Sequence, residues 1–170
     1  NESAADSNNP DGMPKAEITR FCVGAIIFLI SAFVFLSILS HPFTVIEDST
    51  WVEGEKAHNW MGTLGLATAH FFIDECWGMA SIFIPFFMIC TSLRIMQVYK
   101  VRLWKWFLTC SLFMIWSSAF MAFIIQPFLD EVHSPISLGG AIGATQVDFL
   151  KTKIGDIGTV LILISIAIAY

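Results

Sequence analysis

Two long stretches of the chain carry no charge: residues 21–40 (FCVGAIIFLISAFVFLSILS) and 106–125 (WFLTCSLFMIWSSAFMAFII). Each supplies the ~20 apolar residues that a helix needs to cross a ~30 Å hydrocarbon layer. A third uncharged run, 76–93, has 18 residues and stops at Arg94, and a last one, 157–170, has 14. The last run makes only about 21 Å of helix, too short for a crossing, so the chain is expected to continue beyond Tyr170. The pattern predicts an all-α integral membrane fold with four transmembrane helices, at about 21–40, 76–96, 104–126 and from 156 through 170 and beyond. The run at 21–40 is longer than the ~7–15 apolar residues of a signal peptide and has no small-x-small site after it. It therefore reads as a permanent anchor. Residues 1–20 are polar, with several Asn, Asp and Ser, and predict a flexible cytoplasmic tail.

The stretch 61–93 is too long for one crossing, since its 33 residues would make roughly 50 Å of helix. His70, Asp74 and Glu75 fall where one piece should stop and the next begin. The stretch divides into an amphipathic or re-entrant element, about 62–74, at the outer surface, followed by a span. The same order recurs later. Setting GTLGLATAHFF (62–72) over GAIGATQVDFL (140–150) pairs Gly62, Gly65 and Phe71 with Gly140, Gly143 and Phe149, and His70 with Asp148. Each half then reads as span out, polar loop, G-x-x-G element, polar break, span back, which is a parallel repeat. Glycines three apart lie near one helix face, and a face without Cβ atoms lets another backbone approach closely. Ser118 and Ala122 form a small-xxx-small pair of the kind that packs helices in lipid. Pro85 inside the second span predicts a kink that neighbouring helices can tolerate.

Composition agrees with this reading: 56% of residues are hydrophobic and 14% charged, against about 25% charged in soluble domains. Charge also gives an orientation, because Lys and Arg accumulate in cytoplasmic loops. Lys15, Arg20, Arg94, Lys100, Arg102 and Lys105 lie on the side of the tail and the loop after span two, whereas Lys56, Lys151 and Lys153 lie on the other. That other side also holds ten of the fourteen acids. The N-terminus is therefore expected inside. Trp104 and Trp106 flank the basic loop as an interfacial belt, and Trp51, Trp60 and Trp77 gather near the opposite surface.

Candidate chemistry is sparse. His70 and Asp74, four apart, would share a helix face and invite a metal or proton-relay reading. No third ligand or relay partner is apparent, so they are read as a polar face at the membrane interface. His41, His58 and His133 are expected in loops without ligand spacing. Cys22, Cys76, Cys90 and Cys110 form no C-x-x-C pair, fall inside or beside apolar runs and behave there as small hydrophobes. No phosphate-binding loop or Ser/His/Asp order occurs, so no catalytic, cofactor-binding or metal residue is expected within these 170 residues.

Three stretches carry a resemblance. "LSHPFTVIEDSTW" is similar to a Ser-…-Pro-…-Asp-x-Ser-Trp loop after a first span. "NWMGTLGLATAHFFIDECWGMASIFIPFF" looks like an Asn-x-x-Gly…Gly-…-Phe-Gly-…-Pro segment, through Asn59, Gly62, Gly65, Trp77, Gly78 and Pro85, with Trp77 in place of the usual Phe. "SLGGAIGATQVDFLKTKIGDIGTVLILI" looks like a Gly-Gly-x-x-Gly element before a fourth span. In this order they resemble the N-terminal four-helix membrane domain of the FtsK/SpoIIIE DNA translocases, over roughly 18–170. The resemblance implies a membrane anchor at the division septum of the bacterial inner membrane, acting in chromosome segregation. It also implies a linker and a cytoplasmic, ring-forming motor outside this chain. ATP, Mg²⁺ and double-stranded DNA would be bound only by that motor. The lipid bilayer, further copies of the protein and other division proteins would be the partners. Two other readings stay open: a small transport or respiratory-complex subunit using His70, Asp74 or Asp148 for protons or ions, and a structural assembly protein without a motor.

Overall fold

The computed structural model describes residues 15–50, 52, 56–99, 102–131 and 137–169, and every regular element among them is helical. α1 runs Lys15–Asp48. The short α2, Gly62–His70, passes into a π-helical turn, Phe71–Trp77, then a 3-10 turn, Gly78–Ile82, and α3, Phe83–Ile95. α4, Leu103–Phe120, continues through a second π-helical turn, Met121–Ile125, into α5, Gln126–Glu131. α6 covers Gly140–Ala169 and is broken at Gly155. Four stretches, Lys15–Asp48, Gly62–Ile95, Leu103–Glu131 and Gly140–Ala169, are long and apolar enough to cross a membrane.

α1 extends eight residues past the apolar run, through His41 and Pro42 to Asp48. Pro42 has no N–H for the Ile38 carbonyl, which an i→i−4 bond would otherwise use. One residue earlier, Asn59 Nδ2 and Ser40 Oγ both donate to the Ser37 carbonyl, each at 3.1 Å. The bend anticipated at Pro85 falls earlier. Cys76 has non-helical backbone (φ −106°, ψ −118°) and Gly78 follows with φ 67°. Pro85 takes the third position of α3, in the first turn, where the absence of its N–H costs least. Pro127 stands second in α5, directly after the π-helical turn, a common place for irregular helix geometry.

α1 packs along α3 and also meets α2, and α6 packs against α4 and the first π-helical turn. The short first element runs across α1 rather than beside it. Asn59 touches Ser37, while Ala69 and Ile73 cluster with Ile38, so both ends of the element meet α1 within one turn. The start of α6 crosses α4 in the same way. Gly139 and Gly143 meet Ser118 and Ala122, Val147 clusters with Ala119, and Lys151 sits over the Phe123 ring. After Gly155 the helix turns back along α4, bringing Leu163 to Trp116. At the opposite end of the bundle Gly24 brings α1 against α3. A Cβ there would lie 3.1 Å from the Ser92 carbonyl oxygen and 3.3 Å from the Met96 nitrogen. Burial is confined to these seams. Leu29, Ile157 and Ile168 are 68%, 80% and 81% exposed, the outward apolar surface that a membrane-spanning chain presents to lipid.

Candidate functional site

The polar and small residues converge at the end of the bundle where the two short elements cross the spans. In the first half Asn59 is the clip. Its main-chain carbonyl accepts the Gly62 N–H at 2.8 Å, its Oδ1 accepts the Met61 N–H at 3.0 Å, and its Nδ2 reaches Ser37 of α1. Two orphan donors at the start of α2 are thereby satisfied. Gly65 is buried against this clip, and a Cβ at Gly65 would run into Asn59 Oδ1 and Met61 Cβ. Asp48, at the last turn of α1, accepts the His58 N–H at 2.7 Å and lies 3.6 Å from His58 Nδ1, so the connecting loop folds back onto the helix.

His41 is buried, and neither ring nitrogen has a hydrogen-bond partner; Asp48 Oδ2 shares that condition. The ionisable neighbours of His41 are Asp74, His70 and Asp48. The sequence reading placed His41 in a loop because the apolar run ends at Ser40, but the helix continues and turns it inward. The His70 and Asp74 side chains do meet, with Nε2 to Oδ2 at 3.7 Å, and His70 Nδ1 lies 3.9 Å from Glu75. Both separations exceed hydrogen-bond length, and His70 is mostly exposed. Among the described residues no group of three His, Cys, Asp or Glu could hold a metal ion.

In the second half Gly143 is buried against α4, where a Cβ would lie 2.7 Å from the Ser118 carbonyl oxygen. Ser118 Oγ donates to the Gly139 carbonyl at 2.8 Å, and Ala122 occupies the space beside Gly139. Gln126 Oε1 accepts the Leu138 N–H at 3.1 Å. Ser118 and Ala122, four apart, are thus the seat of the incoming segment. The two glycine pairs differ in their second members: Gly65 faces its own approach loop, and Gly143 faces a span.

The halves join through main chain. The Met79 N–H donates to the Leu138 carbonyl at 2.9 Å. A Cβ on Gly78 would run into the Leu138 carbonyl and sit 2.6 Å from the Gly139 carbonyl carbon. A Cβ on Gly140 would collide with the Gly78 nitrogen and sit 2.7 Å from the Ile73 oxygen. Both glycines have positive φ, 67° and 66°. Conformation and space each exclude a side chain here. The sequence reading named Gly78 and Gly140 separately; the fold puts them back to back.

The remaining candidates are dispersed. Gly62 begins α2 with open space around it, and Asp148 is exposed on α6. Arg94 lies in the last turn of α3, and the Arg102 carbonyl accepts the N–H of Lys105 at 3.0 Å and of Trp106 at 3.3 Å. Lys100 and Trp51 lie outside the described residues. Trp104 and Trp106 pack on Phe107 and Phe86 with exposed edges, Trp60 stacks on Phe43, and Trp77 is half-buried at the bend. Sequence reasoning missed His41 and Leu138. Pro42 beside His41 gave the only hint, and a main-chain acceptor such as Leu138 has no side-chain signature.

Four membrane-crossing helices, with two short elements laid across them, define a multi-pass helical membrane domain. The 4TM region of DNA translocase FtsK/SpoIIIE matches residues 17–170, and the chain belongs to that family as its membrane anchor region. Comparison with curated proteins and with solved structures gave no match.

Proposed function

We propose that this chain holds an ATP-driven DNA translocase in the bacterial inner membrane at the division septum, where it serves chromosome segregation. The observation carrying this reading is the family match, which takes in all four spans. The anchor's own work is mechanical: a load applied by a DNA-pulling motor has to be borne by packed helices, and the main-chain junction at Gly78 and Gly140 ties the two helix pairs together. ATP, Mg²⁺ and double-stranded DNA are engaged by the motor, not by residues of this chain. Self-association into a ring follows from the motor, and other division proteins are partners at the septum. The N-terminus is cytoplasmic. In support, Arg20 neighbours Met96 and Gln97, so the basic residues of α1 and of the α3–α4 connection share one end.

The two halves are parallel repeats in this reading. Their glycines support it: Gly62 and Gly140 open the crossing elements with φ of 68° and 66°, and Gly78 and Gly155 break them with 67° and 72°.

A fluorescent fusion of the full-length protein tests the septal assignment. A mid-cell band in dividing cells is expected, with an even membrane signal when residues 17–170 are exchanged for an unrelated four-span domain. A band that survives the exchange would take the septal role away from this chain.

A further inference from the structure

We propose that the groove between α4 and α6 binds an anionic phospholipid, one acyl chain lying against Trp116 and the headgroup held by Lys153; this holds whether or not the chain anchors a motor. Two adjoining cavities, about 250 and 320 Å³, share Ile115, Trp116 and Ile166 and run from Leu112 up to Phe149. From Leu112 to Ala119 the groove follows eight residues of α4, about 10 Å, before passing under Phe149. That is most of one leaflet of a ~30 Å hydrocarbon layer.

The floor of the groove asks for an apolar occupant. Trp116 Nε1 already donates to the Leu163 carbonyl at 2.9 Å, so the indole turns only its ring toward the space. A hydrocarbon chain has no polar group to satisfy there.

The mouth of the groove gives the headgroup its sign. Lys153 Nζ stands 6.0 Å from the centre of the Phe149 ring, which forms the upper wall, and Lys153 makes no ion pair among the described residues. Lys151 is different, being engaged by Asp156 at 3.6 Å and by the Phe123 ring. Asp148 lies five residues before Lys153, about 140° around the helix and away from the groove. A basic side chain near the surface beside an apolar cleft attracts an anionic headgroup over a zwitterionic one.

The test uses the full-length protein in detergent, incubated with equal amounts of dioleoyl phosphatidylglycerol and dioleoyl phosphatidylcholine. After gel filtration the retained lipid is extracted and quantified by mass spectrometry. Phosphatidylglycerol should be enriched about fivefold, falling toward parity in Lys153→Gln. Lys105→Gln, at the far end of α4, should leave the ratio unchanged. Ile162→Trp, which fills the groove, should lower retention of phosphatidylglycerol. Equal retention of both lipids in the unaltered protein would overturn the proposal. So would an equal loss in Lys105→Gln, which marks general surface attraction. A dimer that excludes lipid and dissociates in Ile162→Trp would give the groove to a second copy and overturn it as well.

Discussion

Gly62 and Gly140 share a backbone conformation and differ in what surrounds them. Both have positive φ, but a Cβ on Gly62 meets nothing within 4 Å, whereas one on Gly140 strikes the main chain of the bend. Alanine therefore incurs the left-handed penalty at both sites, about 1–2 kcal/mol, and an overpacking cost of about 1–3 kcal/mol only at Gly140. Gly140→Ala should unfold at a clearly lower temperature than Gly62→Ala in the same detergent. Equal losses would mean that the junction yields and carries no packing energy. His41 calls for the opposite expectation. Its buried ring nitrogens lack partners, and an unsatisfied buried polar group costs about 1–3 kcal/mol. His41→Phe keeps an aromatic shape without that cost, so thermal unfolding should be unchanged or shifted upward. A marked loss of stability would mean that Asp74 or Asp48 uses the imidazole.

At the scale of elements, the spans were legible because hydropathy is additive along the chain, whereas helix ends and bends depend on backbone partners that hydropathy does not see. The apolar run stops at Ser40, yet α1 reaches Asp48, because helical hydrogen bonding does not require apolar side chains. Pro85 attracted the expected kink, but a proline in a first turn leaves the helix intact, and Gly78 bends the chain instead. Ser118 and Ala122 were readable as a packing seat from their spacing and size alone. The contact of Gly78 with Leu138 was not, since it joins main-chain atoms sixty residues apart. α6 offers an element-scale prediction. Gly155 breaks it at φ 72° with no atom near its missing Cβ, so the bend is a matter of backbone conformation and not of crowding. Gly155→Ala favours a straight helix, which would carry Leu163 away from Trp116. The Trp116 hydrogen bond to Leu163 should weaken, and a spin-label distance between Ala141 and Ile166 should lengthen. An unchanged distance would show that the packing of α6 on α4 fixes the bend by itself.

For the whole molecule the open variable is which end faces the cell interior, and the fold makes that measurable with two positions. The stretch Gly62–Ile95 bends at Gly78, and the 18 residues from there to Ile95 make roughly 27 Å of helix, enough to cross the hydrocarbon layer on their own. Ser49 follows α1 at one end, and Tyr99 lies just beyond α3, past the other end of that stretch. Both are exposed, Tyr99 by 66%, so labelling reports sidedness and not burial. The exposed Cys22 is first replaced by Ser, and Ser49→Cys and Tyr99→Cys are then made separately. With the basic end inside, a membrane-impermeant maleimide should modify Ser49→Cys in intact cells, and Tyr99→Cys only after permeabilisation. The reverse pattern would invert the orientation and put the polar crossing end, with His41, Asp74 and the Gly78–Gly140 junction, in the cytoplasm. Reaction at both positions in intact cells would mean that the bent stretch enters and leaves by the same face. The break at Gly78 would then be the apex of a re-entrant hairpin, and the domain would cross the membrane fewer than four times.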